Sequence, residues 1–279
     1  MMDSLLLHLV PSIVDQKMAS LMHLVVHNYN ELIQHKKHPL VDQWLLMDSP
    51  VPLLLILGFY LYFVLKLGPA LMAHRKPFEL QKVLIFYNAY QVVFSVWLCL
   101  MPVRVGAMDY LFKHVCQPME HRNPFAYQVS SGAWWYFFSK IIELLDTVFF
   151  VLRKKQSQVT FLHVYHHTIT ALFSWGYLKF LPGEQGVVIG VLNSFVHVFM
   201  YTYYLLAALG PRYQKYLWWK KYMTWIQLGQ FCIMLMYLLF LLAYDCEFPK
   251  ALTFFFVGNV VIFLYLFFDF YRNAYKKRA

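Results

Sequence analysis

The sequence predicts an all-α polytopic membrane protein with seven spans, and three observations carry that reading. Its 279 residues are 60% hydrophobic and 20% aromatic with only 14% charged, more apolar than a soluble domain of this length needs for its core. Seven apolar runs are each long enough to cross about 30 Å of hydrocarbon, for which roughly 17 to 25 helical residues suffice. Finally, Lys and Arg crowd into alternate connecting loops, the asymmetry that marks the cytosolic side of a membrane protein.

The runs fall at 51–67, 83–103, 133–152, 160–180, 186–209, 217–244 and 251–271. The loops after spans one, three, five and seven hold fifteen Lys or Arg, from Lys66 to Arg278, with Glu79 as their only acid, whereas the other side has eight Lys or Arg against ten acids. These tallies place the N-terminus in the lumen and the C-terminus in the cytosol. The net charge of +10 therefore reads as topology, and no nucleic-acid partner is expected. Residues 1–49 are expected to stay attached as a lumenal or interfacial segment with a helix near 19–33, because the apolar stretch 5–10 is short, lacks a basic start and is interrupted by His8. The seven-helix domain then covers 50–271. The basic tail 272–279 ends Lys276-Lys277-Arg278-Ala279, which resembles a dilysine retrieval signal read in the cytosol for return to the endoplasmic reticulum.

Cys99 and Cys232 fall inside spans and read as small buried hydrophobes. Cys116 and Cys246 fall in two lumenal loops, an oxidising setting in which a disulfide between them is expected.

Polar residues inside the spans are the functional signal, since ionisable groups at membrane depth are expensive. Span three carries Lys140, Glu143 and Asp146, with Thr147 continuing the stripe. Span four carries His163, His166 and His167, related by i, i+3 and i+4, so that three rings share one helical face. Span five adds Asn193, His197, Tyr201 and Tyr204, and span six adds Gln227 and Gln230. At 1.5 Å per residue these groups lie roughly 10 to 20 Å from the cytosolic ends of their spans. One pocket opening toward the basic loops is the economical interpretation. Isolated polar residues in spans commonly serve as packing glue, but four helices each presenting a stripe at one depth point to a site.

The histidine cluster first suggests a metal, because imidazole binds iron and zinc. Of twelve histidines only four lie within spans, fewer than membrane di-iron desaturases and hydroxylases gather from several such boxes. A single metal on His163, His167 and His197 stays open as the alternative, a metal-dependent lipid desaturase or hydroxylase. The leading expectation is no metal and no cofactor, with imidazole itself as nucleophile and acid/base group. Arg153, Lys154, Lys155, Lys220 and Lys221 are candidates to bind an anionic headgroup at the pocket mouth.

Four motifs occur in order: Lys140-x-x-Glu143-x-x-Asp146-Thr147, His163-x-x-His166-His167, Asn193-Ser194-x-x-His197-x-x-Met200-Tyr201-x-Tyr203-Tyr204 and Thr224-x-x-Gln227-x-x-Gln230. Gly68-Pro69, Arg75-Lys76-Pro77-Phe78 and Tyr87-Asn88 precede them. With these motifs, and across almost its whole length from the first span onward, the chain resembles the very-long-chain fatty acid elongases, condensing enzymes of the endoplasmic reticulum. That resemblance implies helices 2–7 in a ring around a narrow acyl tunnel, with helix 1 outside. It implies condensation of acyl-CoA with malonyl-CoA to 3-oxoacyl-CoA, carbon dioxide and CoA, and expected partners in the membrane lipid and in the reductases and dehydratase of the same cycle. A ping-pong course follows, with His166 as the acylated nucleophile. His163, His167 and His197 would orient it and move protons, while Asn193, Gln227 and Gln230 donate hydrogen bonds. Glu143 and Asp146 would fix the imidazole tautomers, and Lys140 would balance their charge. Acyl preference and homo-oligomer formation are left open.

Overall fold

A computed structural model describes residues 39–114, 124–181, 186–244 and 250–276. The segment 1–38 with its expected helix, Cys116 and Cys246, and the last three residues lie outside that set.

A short helix α1 (Pro39–Asp42) precedes the first long one, α2 (Val51–Met72). Then come α3 (Gln81–Arg104), the short α4 (Ala107–Lys113), α5 (Pro124–Leu152), α6 (Phe161–Phe180), α7 (Gly186–Ala208), α8 (Lys220–Ala243) and α9 (Lys250–Tyr271). Among the described residues there is no strand. Five long helices, α2, α3, α7, α8 and the last from Leu252 to Tyr275, are long and apolar enough to cross a membrane. The others, α5 and α6, have 29 and 20 residues, which suffices in length. Their apolarity is diluted by the charges of span three and the imidazoles of span four.

Two boundaries differ from the sequence expectation by five residues or more. The first helix runs on from 67 to Met72, although Pro69 has no N–H to offer. A π-turn at Phe63–Leu67 absorbs the defect, with the Gly68 N–H bonded to the Phe63 carbonyl. The third helix starts at Pro124 instead of 133. Tyr127, Gln128, Ser130 and Ser131 hide that stretch from an apolarity reading, yet nothing there breaks a helix, and proline is tolerated in a first turn.

The neighbours run α3–α5–α6–α9–α8–α7 and back to α3, so six helices close a ring. Helix α2 packs outside it, on α5 and α6. Its anchor is a buried hydrogen bond of 2.8 Å between the Tyr60 hydroxyl and Thr147 Oγ1. Tyr60→Phe is expected to lower stability by about 1 kcal/mol, read as a reduced melting temperature in detergent with turnover unaltered. Along the rim of one side, the Gln81 side chain donates to the Ala208 carbonyl, the Phe78 N–H to Leu152 and the Tyr275 hydroxyl to Lys220. The basic loops thus gather on that side. On the opposite side residues 42–48 are strapped down: Trp175 Nε1 donates to the Leu46 carbonyl at 2.7 Å, Trp134 Nε1 to Leu45 at 3.1 Å, and Lys179 pairs with Asp42 at 2.6 Å.

The outer surface is apolar, with Phe86 76% exposed and Val93 70%. Patches of this extent belong against lipid. Cys232 is exposed on that surface instead of buried, because its position on α8 faces away from the ring. Cys99 is half-buried, its thiol near the Val191 carbonyl at 3.7 Å.

Candidate functional site

Helix α6 is started by Thr160, whose hydroxyl accepts the His163 N–H at 3.2 Å. The histidines therefore occupy its first two turns. His163 and His167, one turn apart, face each other with ring centroids 4.4 Å apart, and His163 also lies 5.1 Å from Phe150. His166 lies edge-on to His167 with centroids 5.5 Å apart, and it also packs 5.1 Å from Phe263 and 6.0 Å from Phe267 of α9. The three rings thus form one contiguous group through His167, while residues 166 and 167, about 100° apart around the helix, also meet different neighbours.

All six ring helices line a cavity of about 160 Å³, to which α2 contributes nothing. Of the four histidines on α6 and α7 only His166 is in its wall. Asn193 and Gln230 are there too, with Tyr136. From His166 to Leu181 on α6 the lining extends for about 22 Å, and most of it is aliphatic or aromatic.

Behind Asn193 lies a closed hydrogen-bond cycle. Lys140 Nζ donates to Glu143 Oε1 at 2.8 Å and to Asn193 Oδ1 at 2.7 Å. His197 Nδ1 lies 3.2 Å from Glu143 Oε1, and Asn193 Nδ2 lies 3.4 Å from His197 Nε2. These partners assign the proton to Nδ1. Tyr136 completes the cluster, its hydroxyl donating to Asn193 at 3.0 Å and its ring sitting 4.6 Å from Lys140 Nζ. Lys140, Glu143, Asn193 and His197 are each at most 7% exposed. Two charges at such depth are tolerable only when paired, and here the Lys140 and His197 contacts to the carboxylate both converge on Glu143 Oε1.

A second cluster surrounds Asp146. Tyr201 donates to Asp146 Oδ2 at 2.7 Å, and Tyr87, 6.2 Å from the Tyr201 ring, accepts from Gln91 at 3.0 Å. Neither Asp146 nor Tyr201 reaches the cavity, so their role as cavity groups is not supported by position. Tyr204 stacks edge-on to Tyr201 at 6.0 Å. Gln227 lies against Met200 Sδ at 3.8 Å and, unlike Gln230, is not in the cavity wall. Among the described residues, no three His, Cys, Asp or Glu side chains are placed to share a metal ion. The set His163, His167 and His197 is not assembled, because both His197 nitrogens already face Asn193 and Glu143.

Arg153, Lys154 and Lys155 follow α5, and Lys220 and Lys221 open α8, on the rim nearest the histidines. Lys154 donates to the Ala73 carbonyl at 3.1 Å, Lys221 lies 6.0 Å from the Tyr271 ring, and Lys155 and Lys220 are exposed.

Several partners escape a motif reading. Tyr136 is one turn before Lys140 and extends the same stripe, so its signal was present in the spacing. Asn259 is a lone amide in an apolar run; it accepts from Tyr165 at 2.8 Å and ties α9 to the histidine helix. Phe263 and Phe267 carry no signal at all, being two aromatic residues among many.

The chain matches the family model described as ELO: GNS1/SUR4 family over residues 45–279. It is 48% identical over 244 residues to very long chain fatty acid elongase 7 of Rattus norvegicus, covering 86% of each chain. It is 45% identical over 252 residues to very long chain fatty acid elongase 7 of Drosophila melanogaster, covering 90% of this chain and 76% of the relative. A very long chain fatty acid elongase of Aedes aegypti is 46% identical over 242 residues, 85% of this chain and 67% of that one.

Proposed function

Because the chain belongs to the ELO (GNS1/SUR4) family, we propose that it is a condensing enzyme of fatty acid elongation, a 3-oxoacyl-CoA synthase acting on long-chain acyl-CoA and malonyl-CoA. The observation that carries the mechanism is His166, the one intramembrane histidine in the wall of an apolar cavity long enough to hold an acyl chain. Seven spans in the endoplasmic reticulum membrane, with the basic rim in the cytosol, complete the reading. Arg153, Lys155, Lys220 and Lys221 then receive the phosphates of CoA, and the acyl chain runs down the cavity away from them.

In the first half-reaction a ring nitrogen of His166 attacks the thioester carbonyl. The carbon–sulfur bond breaks, CoA leaves with the proton shed by the imidazole, and an acyl-imidazole remains. Malonyl-CoA then loses carbon dioxide, the released electron pair forms an enolate, and its carbon attacks the acyl group. The carbon–nitrogen bond breaks and the nitrogen of His166 takes back a proton. Lys140, Glu143 and His197 hold Asn193 at the cavity wall, where with Gln230 it stabilises oxyanions by hydrogen bonding. Glu143 Oε2, His163 Nε2 and His167 Nδ1, buried and without a hydrogen-bond partner among the described residues, are available to move protons. A Cys116–Cys246 disulfide belongs to the same proposal, and mass spectrometry of the non-reduced protein should find both thiols joined.

Purified protein given an acyl-CoA and carbon-labelled malonyl-CoA is expected to yield labelled 3-oxoacyl-CoA with release of carbon dioxide. Absence of label in any acyl product, or turnover that consumes oxygen and follows iron content, would overturn the assignment.

A further inference from the structure

Toward the end of the cavity remote from His166, its wall includes a tyrosine held by two other helices. Tyr177 lies about 16 Å further along α6 than His166, at 1.5 Å per residue, and its hydroxyl accepts the Gly186 N–H, at the start of α7, at 2.5 Å. The ring lies so close over Gly186 that a Cβ there would collide with Tyr177 Cζ. On its other side the ring meets Phe256 of α9, with centroids 6.2 Å apart at 65°. Tyr177, Gly186 and Phe256 all line the cavity, with Leu181, Leu241 and Leu252. The phenol is thus fixed to α7 and braced on α9 in the cavity wall, about one turn before the α6 lining ends at Leu181.

We propose that Tyr177, held by Gly186, is a specificity-determining residue that sets the upper length of the acyl chain this site accepts. The inference rests on the condensing activity proposed above. A chain whose terminal methyl reaches the ring can extend only by displacing a side chain bonded at its tip, and an interior packed at native density has no room for it. One methylene of misfit in an apolar pocket is worth about ten- to two-hundredfold in discrimination.

The test compares wild type, Tyr177→Ala, Tyr177→Phe and Gly186→Ala on a homologous series of saturated acyl-CoAs with malonyl-CoA. The measured quantity is the turnover of the first acyl-CoA beyond the wild-type limit relative to one well inside it. Tyr177→Ala should raise that ratio by about tenfold or more. Tyr177→Phe, which keeps the ring but loses the bond to Gly186, should raise it less than Tyr177→Ala does. Gly186→Ala drives the ring into the cavity and should lower it. An unmoved limit in Tyr177→Ala that still turns over the shorter acyl-CoAs overturns the proposal. If that variant is not recovered folded, Tyr177→Leu is read by the same rule. Should wild type condense no acyl-CoA at all, the condensing activity fails first, and the length assignment with it.

Discussion

His166→Ala is expected to abolish condensation, by at least about a thousandfold in kcat, because an enzyme stripped of its nucleophile retains only what binding and oxyanion stabilisation supply. The protein should still fold: His166 is only partly buried, and its ring stacks on Phe263 and Phe267 without a hydrogen bond that others depend on. His163→Ala and His167→Ala are expected to lose less, since neither ring reaches the cavity wall. Turnover of acyl-CoA and malonyl-CoA by each purified variant measures the difference. Equal losses at all three positions would mean that the box acts as a unit, without a single nucleophile.

The second large effect concerns the buried pair behind the wall. Glu143→Gln leaves Lys140 charged, 3% exposed and without its carboxylate, and Lys140→Met leaves Glu143 in the same position. Each single change is expected to destabilise by about 3 to 5 kcal/mol, the range for stranding one member of a buried ion pair. Replacing both, as Lys140→Met with Glu143→Leu, is expected to recover much of that stability but none of the activity, because Asn193 and His197 lose the partners that orient them. Thermal unfolding in detergent together with turnover separates these outcomes. Single variants within about 1 kcal/mol of wild type would show that the pair is hydrated or otherwise compensated.

How far the sequence disclosed this arrangement depends on the kind of signal each residue leaves. The helices were legible from the length of the apolar runs, and the errors fell where a composition signal misleads. The beginning of α5 is rich in Ser, Gln and Tyr yet helical, and the last turns of α2 continue through a proline because a π-turn accommodates it. Charged and imidazole groups announced themselves by being expensive in a membrane, which is why Lys140, Glu143, His166 and His197 were identifiable as candidates. Spacing alone did not say which side chains bond to which. Asp146 shares the stripe of Lys140 and Glu143 but belongs to a separate cluster with Tyr201, and Gln227 shares the stripe of Gln230 but misses the wall. Tyr177 is the extreme case. A tyrosine in an aromatic-rich helix carries no pattern, and its position in the cavity wall emerges only when α6, α7 and α9 are brought together.

The central claim is that His166 carries the acyl group between the two half-reactions. Intact-mass and peptide mass spectrometry of the full-length protein, after incubation with a long-chain acyl-CoA in the absence of malonyl-CoA, tests it most directly. An added acyl group on the peptide containing His166, discharged as 3-oxoacyl-CoA when malonyl-CoA is supplied, is the predicted result. A protein that turns over normally yet never accumulates an acyl adduct, or carries it on another residue, would contradict the account.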